Sequence, residues 1–109
     1  MRRIALAAGD ASRGATSRAY WTTERGLLIV ADRLPAPPPG RGYQVWLIGG
    51  GSPGPVSAGM LGGQGPGRGM LIVPPPRGVS GGNVTVAVTD EPAGGLPAPT
   101  GSKHLVGSI

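Results

Sequence analysis

Apolar residues in this chain fall in short runs, and each run ends at glycine or proline. In "ATSRAYWTTE" (15–24), Ala15, Ser17, Ala19, Trp21 and Thr23 share one face, the period of two of a half-buried strand. "GLLIVADRL" (26–34) is apolar on both faces at its centre, as in a strand covered on both sides. Glu24-Arg25-Gly26 between them predicts a hairpin. "GYQVWLIG" (42–49), rich in β-branched and aromatic residues, is a third strand. After a turn at 50–55 come a short strand at 56–61, with Gly59 as a bulge, and a hairpin loop at 62–69. "MLIV" (70–73) and "NVTVAVT" (83–89) follow, the latter with Val84, Val86 and Val88 inward and Thr85, Ala87 and Thr89 opposite. "KHLVGSI" (103–109) is the closing strand.

Two proline-rich stretches, "PAPPPG" (35–40) and "PPPRGVSGG" (74–82), cannot continue a ladder, because proline offers no N–H. They predict extended crossovers between sheets. Seven to eight short strands at spacings near ten residues, with no helical period, predict an all-β antiparallel β-sandwich or flattened barrel. Residues 1–14 read as a leader or stalk, with at most a short strand at Ile4–Ala7, and residues 15–109 as one domain.

Composition changes this picture in one respect. Glycine and proline supply 22 and 13 of 109 residues, which alone would suggest disorder, but 39% hydrophobic and only 14% charged residues oppose that reading. The chain is expected to fold. Without phenylalanine, its core must come from Val, Leu, Ile, Ala and Met; without cysteine, it has neither disulfide nor thiol nucleophile. The net charge of +5 permits anionic partners, but the basic residues are spread singly after the initial Arg2-Arg3 pair. Nucleic-acid sites concentrate charge and interleave aromatics, so no nucleic-acid partner is expected. No apolar run approaches the roughly 18 residues that span a bilayer, and Ile4–Ala8 is too short for a signal-peptide core. As it stands, the chain reads as soluble and without its own export signal.

Catalytic chemistry is not expected. His104 is the single histidine and lies in a predicted strand without a serine-nucleophile elbow. Of the carboxylates Asp10, Glu24, Asp32, Asp90 and Glu91, the last two are adjacent and point to opposite sides of an extended chain, unlike a glycosidase pair. These groups have no metal-ligand spacing, and "GGQGPGRG" lacks the Lys-Ser/Thr and helix of a phosphate loop. Neither a metal nor another cofactor is expected. Trp21, Tyr43 and Trp46 are either core residues or a face for sugar or peptide.

The stretch after the 83–89 strand, "DEPAGGLPAPTG" (90–101), is a rigid polar corner. Pro92, Pro97 and Pro99 fix three φ angles, Gly94 and Gly95 supply positive φ, and Asp90 and Glu91 can accept backbone N–H bonds, with Thr100 adding a hydroxyl. It reads as a structural clamp, with a binding site as the alternative.

Three stretches in order resemble the C-terminal, extracytoplasmic domain of the anti-sigma-K factor family: "LPAPPPGRGYQVWLI" (34–48), Ser57-Ala58-Gly59, and "VTDEPAGGLPAPTG" (88–101). The leader "ALAAGDAS" resembles the segment that follows that family's membrane helix, and Asp90 and Leu96 depart from its usual pattern. The resemblance marks Tyr43, Gln44, Trp46, Glu91, Pro92, Gly94, Gly95, Pro97, Pro99, Thr100 and Gly101 as the family-motif and clamp positions. It implies the outer, non-enzymatic sensor of a membrane-anchored anti-sigma factor. That sensor would gate proteolytic release of an ECF-type sigma factor through cleavage at the leader. The sigma-binding domain and transmembrane helix would lie outside this sequence, so the sigma factor and the membrane are partners only through them, and a regulatory protease is a partner at residues 1–14. A cell-wall glycan- or peptide-binding module is the alternative.

Overall fold

The computed structural model describes residues 2–9, 14–22, 24–49, 51, 54–63, 67–74, 84–101 and 103–108. Within them the punctuated apolar runs form strands and no helix. The strands are β1 (Arg2–Ala8), β2 (Thr16–Thr22), β3 (Gly26–Asp32), β4 (Arg41–Gly49), β5 (Val56–Met60), β6 (Gly62–Gly63), β7 (Gly69–Val73), β8 (Val84–Pro92) and β9 (Lys103–Ser108). Every pairing is antiparallel, in the order β5-β4-β8-β9-β1-β2-β3-β7-β6.

The expected flattened barrel follows from two bent segments. The first half of β1 pairs with β2 (Arg2↔Trp21 to Leu6↔Ser17), whereas Ala7 and Ala8 pair with β9. Likewise β5 pairs with β4, the chain bends at Leu61, and β6 pairs with β7. Counted as one strand, β5 and β6 make an eight-stranded, nearly closed ring. The crossover at 35–40 carries the chain between its two halves. The second crossover expected at 74–82 falls, after Pro74, on residues 75–83, which lie outside the described set.

Alternation places Ile4, Leu6, Ala19, Trp21, Leu27, Ile29, Val45, Leu47, Val84, Val86, Val88 and Leu105 inside, all buried. Turn chemistry closes the hairpins as expected. Gly26 takes φ 95° after β2, with Arg25 N donating to Thr22 Oγ1 at 2.8 Å. Gly59 takes φ 126° at the β4–β5 bulge, where Val45 faces Gly59 but Trp46 faces Ser57.

Three expectations need revision. Residues 2–8 are not a stalk: the short strand expected at Ile4–Ala7 extends over Arg2–Ala8, Ile4 and Leu6 are buried, and β1 pairs first with β2 and then, at Ala7 and Ala8, with β9. Strand β8 runs through Asp90, Glu91 and Pro92, because Tyr43, Gly42 and Arg41 of β4 continue to pair with them. The 62–69 loop begins as strand, since Gly62 and Gly63 pair with Met70 and Gly69; residues 64–66 lie outside the described set.

Candidate functional site

Because β8 extends as a strand, Asp90 and Glu91 project to opposite faces. Glu91 lies on the outer face of the β4–β8 pair, with Gln44, Trp46 and Thr89, where alternation predicts solvent exposure. All four are buried. The corner after Pro92 turns back across them and makes a second small core outside the barrel.

Its centre is the Glu91 carboxylate, at 0% exposure. Oε1 accepts from Thr100 Oγ1 (2.7 Å), and Oε2 from Thr89 Oγ1 (2.6 Å) and the Gly101 N–H (3.0 Å). The Thr100 N–H is shared between the two oxygens, at 3.2 and 3.0 Å. Trp46 Nε1 donates to Thr89 Oγ1 at 2.8 Å, so indole, hydroxyl and carboxylate form one relay. Burial raises the Glu91 pKa, but the bonds from Thr89, Thr100 and Gly101 more than offset this, and the pKa falls to about 2. A carboxylate so acidic and so fully bonded is unsuited to proton transfer near neutral pH.

Gln44 makes the second fastening. Its Nε2 donates to Ser57 Oγ (2.7 Å) and the Leu96 carbonyl (3.0 Å), and its Oε1 accepts from the Leu96 N–H (2.9 Å). The amide thereby pairs with the corner's backbone as another strand would. Gly95 N–H bonds the Pro92 carbonyl at 2.9 Å, closing a turn with Gly94 at φ 93°, and Gly95 follows at φ 84°. Gly101 is required by space: a Cβ there would stand 1.7 Å from the Asp90 carbonyl oxygen.

At the barrel mouth, Asp90 Oδ2 meets Arg41 Nε at 3.2 Å, and Arg41 Nη2 donates to the Asp90 carbonyl at 2.7 Å. Asp90 Oδ1 lies 3.3 Å from His104 Nε2, and the Tyr43 ring meets His104 edge-on at 4.9 Å. Tyr43 Oη donates to the Pro35 carbonyl at 2.5 Å. Burial, with the nearby Asp90 charge, raises the Tyr43 pKa.

The family model for the anti-sigma-K factor rskA C-terminal domain matches residues 2–104. The chain belongs to that family. No curated protein matches it, and no solved structure does. Membership gives this anti-sigma domain a regulatory setting, with a sigma factor as the family's partner. Among its described residues no helix is long and apolar enough to cross a membrane, and no three His, Cys, Asp or Glu side chains gather as metal ligands.

The anti-sigma domain brings most of the motif residues together. Gln44, Trp46, Glu91, Thr100 and Gly101 interlock through the bonds above; Pro92, Gly94 and Gly95 shape the turn. Pro97 is exposed and Pro99 half-buried on the outgoing path, while Tyr43 points to the barrel mouth instead. Trp21, Tyr43 and Trp46 are all buried, so none forms the aromatic face that a sugar- or peptide-binding module would need. Sequence reasoning gave Thr89, Arg41 and Ser57 no role in the corner. Thr89 was legible as the residue two before Glu91 and so on its face; Arg41 acts across 49 positions and Ser57 across the β4–β5 bulge, and neither contact leaves a local sign.

Proposed function

We propose that this chain is the outer, non-catalytic regulatory domain of a membrane-anchored anti-sigma factor, facing away from the cytoplasm. Its fold controls protease access to the segment that leads in from the membrane, and so controls release of the sigma factor. Family membership over residues 2–104 supports the setting. The observation that carries the mechanism is β1: this N-terminal segment is held in the barrel by β2 through Leu6 and by β9 at Ala7 and Ala8, with Ile4 1% exposed. Proteases bind extended chain, so a strand held in a ladder with its apolar side chains buried is cut only after local opening.

The test is limited proteolysis with mapped cut sites, alongside a sigma-dependent reporter in cells carrying the full-length protein. In the folded domain residues 2–8 resist cleavage, and variants that loosen the barrel raise both cleavage there and reporter output. Rapid cutting within 2–8 of the native domain, or a reporter indifferent to such variants, refutes the proposal.

A further inference from the structure

The two broad faces of the barrel are finished differently. The outer face of β4 and β8 is covered by the chain's own corner, whereas no described segment crosses the outer face of β2, β3 and β7. Register aligns Tyr20, Leu28 and Ile72 in one row across these strands, and Val30 and Met70 in the next. Ile72 is 68% exposed, the largest such exposure of a bulky apolar residue among the described residues. Four arginines border the two shallow depressions on this face: Arg3, Arg18 and Arg68 on one, Arg25 on the other. Among the described residues Asp32 is the single acid lining either, and it already faces Arg68 at 3.8 Å.

We propose that this face docks on an anionic phospholipid surface. Charge complementarity selects that occupant. Guanidinium groups bracket the apolar rows on both sides, and their planar forks suit phosphodiesters. A second copy of the chain would set these arginines against themselves. Both depressions on this face open to solvent, and Tyr20 beside the exposed Ile72 matches the headgroup–acyl boundary. This adds a surface to the regulatory reading without resting on it.

The test is flotation of the purified chain with vesicles of phosphatidylcholine alone or mixed with phosphatidylglycerol, at low and high ionic strength. The chain floats with the anionic vesicles, and added salt weakens the association. Arg18→Ser and Arg68→Ser each lower the partition coefficient about five-fold, the loss expected of one basic residue near an anionic surface. Ile72→Ser lowers it too, and Lys103→Ser, a surface change of equal charge on β9, leaves it nearly unchanged. Circular dichroism of each variant separates lost contact from lost fold. Absence of flotation overturns the proposal, as does equal partitioning onto neutral vesicles or a Lys103→Ser loss matching that of Arg18→Ser. Tighter binding to a DNA duplex or to polyglutamate than to the vesicles also overturns it, identifying an acidic macromolecule as the ligand. None of these failures bears on the proteolysis test above.

Discussion

Changing Glu91 to Gln keeps the shape of the side chain and removes its charge. One carboxylate oxygen becomes an NH2 group that faces donors, whichever way the amide turns. At Oε1 it would meet Thr100 Oγ1, and at Oε2 the Thr89 hydroxyl and the Gly101 N–H. One or two buried donors then lose their acceptor, at about 1–3 kcal/mol each. Linkage gives an independent figure. The pKa drops from 4.5 to about 2 on folding, which corresponds to about 3 kcal/mol before allowance for solvent screening at a corner near the surface. A net loss of about 2 kcal/mol is consistent with both. The folded pKa is the lower one, so the contribution is present above pH 4.5 and is lost as the pH falls toward 2. Urea unfolding of both proteins across this range is the assay. The wild-type advantage is about 2 kcal/mol at pH 7, declines below pH 4.5 and largely vanishes near pH 2. A difference that stays constant with pH, or one under about 0.5 kcal/mol at pH 7, refutes the role assigned to the carboxylate.

Three further outcomes follow from the corner and the barrel interior. Gly101→Ala forces a Cβ into the Asp90 carbonyl and destabilises the fold by about 3 kcal/mol or more, read from thermal melts. Gln44→Glu sets a carboxylate against the Leu96 carbonyl, costs about 1–3 kcal/mol, and speeds hydrogen exchange at the Leu96 amide. Trp21 and Trp46, at 2% and 0% exposure, give blue-shifted fluorescence that resists quenching and is insensitive to added glycan or peptide.

The strands were legible because their signal is local: period-two alternation in β2 and β8, a wholly apolar centre in β3, and glycine or proline at each end. β1 was legible only in part, as the short strand at Ile4–Ala7, because only Ile4 and Leu6 in "RRIALAA" are large and apolar, while alanines occupy both faces. What makes it a strand is pairing with β2 and β9, the latter about a hundred residues away. The corner's constituents were equally legible, down to carboxylate acceptors and the Thr100 hydroxyl. Its role as a lid was hidden, since Gln44, Trp46, Thr89 and Glu91 sit where alternation predicts solvent. Their burial depends on Leu96 returning to Gln44 across 52 positions. Polar residues on an outward face became informative only once their partner segment was known.

The clamp and β1 are mechanically joined, and this yields the sharpest test of the proposed gating. The corner links β8 to β9, so its closure fixes where β9 begins; His104 adds its contact with Asp90. β9 in turn holds β1, through Ala7↔Val106 and Ala8↔Leu105 and through the Gly9 N–H on the His104 carbonyl at 2.9 Å. Gly107 passes so near β1 that a Cβ on it would lie 2.4 Å from the Ala5 carbonyl oxygen. Loosening the clamp by about 2 kcal/mol therefore raises the population in which β9 releases β1 about thirty-fold, if that opening includes the corner. A signal acting at the corner must bind closed and open states differently to exert the same effect, since equal affinity shifts nothing. With protease dilute enough that cleavage tracks the open population, Glu91→Gln should accelerate cutting within residues 2–8 by a comparable factor. An unchanged rate, in a variant shown by urea to be destabilised, would mean that β1 opens independently of the corner and that control of access lies elsewhere in the barrel.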